Sequence, residues 1–458
     1  MRRREKFANI VLVSGIIYCI AVLLYSRFLS SLSPEQLNKY YLAAVTGLLI
    51  FAIAFKWREE WKVNFALTVL AIGFSLYLIE IVLFFGLTER IKQLRLAEQM
   101  RVEAIEHTRQ TGHPFDERTK WQVMMDFRKK GIEIYPAFSA FFLRRAEGLH
   151  VDGNAIYPLG GISEKLTIHC NESGEWSIYE SDEHGFNNPL GIYGQQGLDI
   201  VLLGDSFTHG ACVKPGQDIG GQLRRGNRRV LNLGISGNGP LTELATLKEY
   251  GVALKPRIVL WLYFEENDLD DLAIEQSSSL LLRYVDDDFS QSLLQRQPEI
   301  DQVLINYIQN KIERIEKYQA SPYFKLEGIF TLSNLRKELT FKLVGGLSYG
   351  KRPLVLFRQI LSEAKETVNA WDGQFYFVYL PAWSRYNGNL GEHNYYRNEV
   401  LSLVKALSIP IIDFDAVMST HPDPLSLYPF RMPVHYTAEG YRLIAEQIER
   451  DLKLDAGD

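Results

Sequence analysis

From residue 197 onward the chain repeats one unit: a short apolar run, a polar turn, then a stretch with helical periodicity. The strand-like runs fall at 200–203, 230–233, 258–264, 375–380 and 411–414, and the last helical stretch covers 438–452. Mostly apolar runs that alternate with helical stretches argue for a sheet covered on both faces. Strands separated by helical crossovers pair in parallel. Residues 196–458 are therefore expected to form an α/β domain, a flavodoxin-like parallel sheet sandwiched by helices. Residues 271–350 break the rhythm with Ser-, Gln- and Asp-rich pieces and amphipathic runs such as 305–318. They are expected to form a helical insertion over the sheet, placed to act as a lid.

Three apolar runs precede this domain, at 7–28, 40–55 and 63–87. A helix crosses the hydrocarbon core with about 20 residues, so the first and third are long enough. The second is short, and Lys39, Lys56 and Trp57 at its ends would extend it by snorkelling and interfacial anchoring. The first run is long for a signal sequence and is not followed by a small-residue cleavage site. Three transmembrane spans over 1–87 are expected. Arg2, Arg3, Arg4 and Lys6 precede the first, and Lys56, Arg58 and Lys62 lie between the second and third. The positive-inside rule then puts both groups in the cytoplasm and everything after residue 87 outside it, in a multi-pass protein of the bacterial inner membrane. The lipid bilayer is thus an expected partner, along with other membrane proteins. Glu80 interrupts the third run; a structural role, holding polar groups or a partner helix, is expected for it.

Residues 88–131 read as a helical stalk broken at Thr111-Gly112-His113-Pro114. Residues 132–195 are richer in Gly, Tyr, Asn and Pro, with alternating runs at 166–169 and 176–179, and are expected to form a small β-rich lead-in. The formal net charge of the 458 residues is −5, with no long basic run, which argues against a nucleic-acid partner. No cysteine spacing suggests zinc, and neither a metal nor another cofactor is expected. Cys170 and Cys212 fall in the part expected outside the cytoplasm, where they form either a bridge or two buried thiols.

Ligands of open α/β sheets bind beyond the carboxyl ends of the strands. After the first strand comes Gly204-Asp205-Ser206, after the second Ser236-Gly237-Asn238, after the third Asn267-Asp268, and just before the last helix His435. A serine hydroxyl is a weak nucleophile until a base takes its proton, and His435 is suited to that task near neutral pH. The Gly237 N–H, the Asn267 amide and the Ser206 N–H are donors for an oxyanion. The catalytic set expected is Ser206, His435, Gly237 and Asn267. Asp205 is expected to fix the turn and His209 to lie on a helix surface. Asp268, Asp270 and Asp271 are expected in a solvated loop, and Tyr263, Trp383 and Tyr436 to pack or line a pocket.

In these blocks the sequence resembles the SGNH/GDSL hydrolases. Gly204-Asp205-Ser206 is similar to the block holding their nucleophile, Ser236-Gly237-Asn238 to that with the oxyanion glycine, Asn267-Asp268 to the third, and His435 to the last. Two positions depart from the family pattern. Met432 stands where an acid usually precedes the histidine by three residues, and Glu265 stands where a glycine precedes the asparagine by two. Orientation of His435 is then left to a backbone carbonyl or to Asp413, Asp415 or Asp423. The resemblance implies a serine esterase acting on acyl esters, with O-acetylated cell-surface carbohydrate as a substrate class. An O-acyltransferase using the same acyl-enzyme and a decayed, glycan-binding or assembly protein are the alternatives.

Overall fold

The computed structural model describes residues 2–28, 34–85, 101–109, 114–143, 148–151, 154–194, 197–286, 289–320, 353–388 and 393–454, with residues 112, 332 and 335. These belong to two compact units, one within Met1–Ile91 and Tyr318–Phe341, the other within Lys92–Lys317 and Lys342–Asp458.

The first unit contains the helices Arg2–Phe28, Pro34–Ala54 and Glu59–Phe85. Two of them are long and apolar enough to cross a membrane, over Arg3–Arg27 and Glu59–Leu83. The apolar part of the middle helix, Tyr40–Ala54, is shorter than the expected second span needs. Small residues let the first two helices approach closely: a Cβ on Gly15 would lie 2.5 Å from the Phe51 ring, and one on Gly47 2.8 Å from the Cys19 sulfur. Glu80 is buried and accepts a hydrogen bond from the main-chain N–H of Leu335 at 2.7 Å, so part of the 271–350 insertion packs with the N-terminal helices.

The second unit is built on the expected sheet. Its strands are β6 (Ile200–Leu203), β7 (Val230–Asn232), β8 (Ile258–Phe264), β9 (Gln374–Leu380) and β10 (Ile411–Asp413). All pair in parallel, in the order β10-β9-β8-β6-β7. Alternate side chains divide between the faces. Val201, Leu203, Val259, Trp261 and Tyr263 join one core with the helices Pro240–Thr246 and Leu354–Asn369. Ile200, Leu202, Leu260 and Leu262 join another with Ile219–Arg224 and Ala438–Asp451. Every residue of β8 is buried, each large side chain contributing about 1.5–3 kcal/mol relative to exposure. The chain reverses direction across the sheet between β6 and β8, which opens a crevice at their carboxyl ends.

The lead-in holds β1 (Ile134–Pro136), β4 (Leu166–Ile168) and β5 (Ile178–Glu180) in one small sheet, with β4 and β5 antiparallel. β2 (Leu149–Val151) and β3 (Asn154–Ile156) form a separate ladder. Within the expected stalk, helices cover 101–109 and Lys120–Lys129, while 88–100 lies outside the described residues. The helix Gln297–Ala320 carries the amphipathic run of the insertion, and most of 321–352 is outside the described residues.

Candidate active site

β6 ends in a turn that only glycine fits. Gly204 has φ +157°, and a Cβ there would lie 2.1 Å from Thr208 Oγ1. The buried Asp205 carboxylate accepts the Phe207 N–H at 2.9 Å and so caps the short helix Ser206–His209. Ser206 becomes its first residue, with a main-chain N–H that has no acceptor inside the helix.

The hydroxyl of Ser206 meets His435 Nε2 at 2.8 Å. On its other side the imidazole is gripped by Glu172: Nδ1 lies 2.9 Å from Oε1 and 3.0 Å from Oε2, and the His435 main-chain N–H donates to Oε2 at 3.0 Å. A carboxylate on Nδ1 keeps the proton there and leaves Nε2 as acceptor for the serine hydroxyl. Burial acts to lower the His435 pKa, but the charge and hydrogen bond of Glu172, with the charge of Asp205, outweigh it and hold the pKa above the ordinary imidazole value. Phe207 packs against the ring, with centroids 4.8 Å apart.

Glu172 fills the place left open by Met432, and it comes from the lead-in rather than from the loop before the histidine. Asp413 and Asp415 are bound by Arg397, and Asp423 by Arg431. The Glu172 loop is fixed twice. Asn171 donates to the Asp116 carbonyl and accepts the Gly174 N–H, and Cys170 is bridged to Cys212, just beyond the helix Ser206–His209, with Cα atoms 4.9 Å apart. The other departure, Glu265, is buried and joins Arg385 Nε at 2.9 Å, the Ala382 N–H at 2.7 Å and the Tyr379 hydroxyl, tying together the ends of β8 and β9.

Of the two expected oxyanion residues, Asn267 lines the same cavity as Ser206, and Gly237 directly follows Ser236, which also lines it. Gly237 has φ +83°, and a Cβ on it would lie 2.4 Å from the Phe141 ring, so the position requires glycine for both backbone and space. Asn267 lines the cavity beside Ser206. Its Nδ2 donates to Asp205 at 3.2 Å and to Asp271 at 3.0 Å, while its Oδ1 is buried with no hydrogen-bond partner.

Several other expectations are corrected. His209 is fully buried rather than on a helix surface: Nε2 meets the Tyr179 hydroxyl at 2.7 Å, and Nδ1 accepts the Ser236 N–H at 3.2 Å. His169 stacks on it at 4.1 Å and reaches the Ser236 hydroxyl at 2.8 Å. Burial drives both histidines neutral, His209 to a pKa of about 3 and His169 well below its usual value. Asp268 and Asp271 are buried rather than solvated, and Asp268 accepts the Phe264 N–H; only Asp270 is exposed. Tyr263 and Tyr436 are core residues, and Trp383 lines the cavity. Glu172, His435 and Cys212 atoms lie within 4.8 Å of one another, but the Cys212 sulfur belongs to the disulfide and His435 Nε2 to Ser206, so the trio is not a metal-ligand set.

Ser206, His435, Glu172 and Asn267 open into a cavity of about 770 Å³. One wall is a single face of the insertion helix, Leu304, Tyr307, Ile308, Lys311 and Ile312, at the i, i+3, i+4, i+7, i+8 spacing of a helical stripe. Lys120, Trp121 and Met124 of the Lys120–Lys129 helix also line it, with Phe138, Phe141, Leu143 and Leu149 from the lead-in.

No family model matches the chain, and no curated protein matches it. Solved structures similar to it include a lipase/acylhydrolase from Enterococcus faecalis (14% identity, 56% of this chain and 95% of that one, TM-score 0.33). A member of the lipolytic G-D-S-L family from Veillonella parvula is 12% identical over 57% of this chain and all (100%) of that one, with a TM-score of 0.31. A mutant acetyl-xylooligosaccharide esterase from a Geobacillus species is 15% identical over 57% of this chain and 97% of its own, with a TM-score of 0.33.

Proposed function

We propose that this protein is a membrane-anchored serine hydrolase that cleaves acyl esters through an acyl-enzyme on Ser206. The observation that carries the reading is the unbroken relay from Ser206 Oγ through His435 to Glu172, with contacts of 2.8 and 2.9 Å. His435 takes the hydroxyl proton as Ser206 attacks the ester carbonyl, and Glu172 stabilises the imidazolium that forms. The tetrahedral oxyanion is held by the Ser206 and Gly237 N–H groups, with Asn267 sharing an Nδ2 hydrogen now directed at a carboxylate. His435 returns its proton to the leaving alcohol. Water, activated by the same imidazole, then releases the acid and regenerates the serine.

A second reading, O-acyl transfer, uses the same acyl-enzyme with an acceptor alcohol in place of water. The apolar lining of the cavity favours it by limiting water around the intermediate. The decayed-enzyme reading loses its main ground, because Glu172 supplies the orienting acid. Membrane anchoring is supported by the two long apolar helices, and an active site outside the cytoplasm by the Cys170–Cys212 bridge, which needs an oxidising compartment.

The test is turnover of a chromogenic acyl ester by the full chain, with and without acceptor alcohols. Ser206→Ala is expected to lower kcat by about 10³-fold or more, and unchanged turnover in that variant overturns the reading. Formation of a new ester with an acceptor selects transfer over hydrolysis.

A further inference from the structure

The size and lining of the cavity exceed what an acetyl ester needs. An acetyl group has one methyl to bury, whereas the wall opposite the lead-in is a helical stripe of Leu304, Ile308 and Ile312, faced by Trp121, Met124 and Phe138. Cavities of this volume hold whole drug-sized ligands. The apolar lining does not close on itself: Met124 and Leu304 are buried, but Trp121, Phe138, Ile308 and Ile312 keep part of their surface open. An apolar chain would remove that surface from water.

The lining also carries a charge with no counterpart among the described residues. Lys120 contributes to the cavity and has no ion pair or hydrogen bond to another described residue. Burial, with the nearby charge of Lys311, pushes its pKa down to about 8. The carboxylates on the lining are Glu172, engaged with His435, and Glu266. A cation in an apolar wall is costly until it is matched by an anion.

Building on the serine-hydrolase reading, we infer that the acyl group is a long apolar chain of fatty-acyl length, on an ester that also bears an anionic group met by Lys120. The chain lies along the face of the insertion helix, its carbonyl at Ser206, and the anionic group sits at the Lys120 side of the same cavity.

The experiment uses the full chain and two substrate series. In the first, acetyl, butyryl, octanoyl, dodecanoyl and hexadecanoyl esters of one alcohol are compared. kcat/KM is expected to rise roughly threefold to fourfold per added CH₂ over the part of the chain the cavity covers. An optimum at acetyl, or a flat profile, overturns the inference while leaving a working Ser206 and hence the hydrolase reading intact. In the second, dodecanoyl esters of glycerol 3-phosphate and of glycerol are compared in wild type and Lys120→Gln. The variant is expected to lose about tenfold or more on the phosphate ester and little on the neutral one; equal loss on both overturns the role of Lys120. Ile308→Trp, which fills the cavity, should move the optimum to shorter chains. Should Ser206 prove unreactive, binding of dodecyl phosphate against butyl phosphate to Ser206→Ala by calorimetry decides the same point without turnover. Preference for the long anion supports the inference, and equal or no binding overturns it.

Discussion

Glu172 and His435 stand 263 residues apart in sequence, yet the carboxylate holds both the imidazole Nδ1 and the main-chain N–H of the histidine. On the serine-hydrolase reading, the lead-in then supplies the acid that orients the base. Removing the charge while keeping the shape, with Glu172→Gln, is expected to lower kcat by about 10³–10⁴-fold, through loss of the correct tautomer and of imidazolium stabilisation. It also moves the pH profile. His435 must be neutral to act as base, and in the wild type its pKa is held above the usual value, so activity falls as pH drops through that raised pKa. Without the Glu172 charge the lowering effect of burial gains weight, and the acid limb shifts to lower pH. A kcat/KM profile of the variant with an unmoved acid limb contradicts the pairing.

The Cys170–Cys212 bridge closes a loop of 42 residues between the arms carrying Glu172 and Ser206. On the chain-entropy account it contributes about 4 kcal/mol. Cys170→Ser/Cys212→Ser is expected to lower the Tm clearly and to weaken catalysis by loosening Glu172. Identical melting curves with and without a reductant that is verified to open the bridge would falsify this role.

Gly237 is constrained by backbone and by space. Gly237→Ala should cost about 1–3 kcal/mol through the positive φ alone, and more from the clash with Phe141. Adding Phe141→Ala should recover the steric share and leave the conformational share. Denaturant midpoints of the two single variants and the double variant separate these terms, and additive costs with no recovery contradict the contact.

The buried pair His169 and His209 makes stability depend on pH. Both have folded pKa values below the unfolded imidazole value, so below about pH 6.5 the unfolded chain takes up protons that the folded one refuses. Stability is full above that pH and falls by up to about 1.4 kcal/mol per unit per histidine as pH drops toward the folded value. Urea midpoints measured on each side of pH 6 should show this loss, reduced in His209→Gln. A loss of the same size in the variant counts against the assignment.

Much of the second unit was legible because its signals are local. Each of the five strands is mostly apolar, with β6 and β8 apolar throughout, and Ser206, Gly237, Asn267 and His435 each follow or precede a recognisable element. Glu172 was not legible, because nothing near it in sequence marks a partner that meets it only after the lead-in folds onto the sheet. Its closest sequence clue is Cys170, two residues before it, whose partner Cys212 lies near Ser206. His209 was misjudged because helical position alone does not reveal that His169 and Tyr179 cover it. The second apolar run is matched by the apolar helix Tyr40–Ala54, which is short for a span, and its flanking residues alone do not decide whether it crosses a bilayer. The cavity wall was foreshadowed by the amphipathic period of 305–318, although what its apolar face covers depends on where the helix lands.

An activated Ser206 is tested most directly by the intact mass of the full chain after treatment with a fluorophosphonate, beside Ser206→Ala. A single adduct is expected on the wild type and none on the variant. A well-folded wild type that takes up no adduct, or a variant that labels equally, contradicts it.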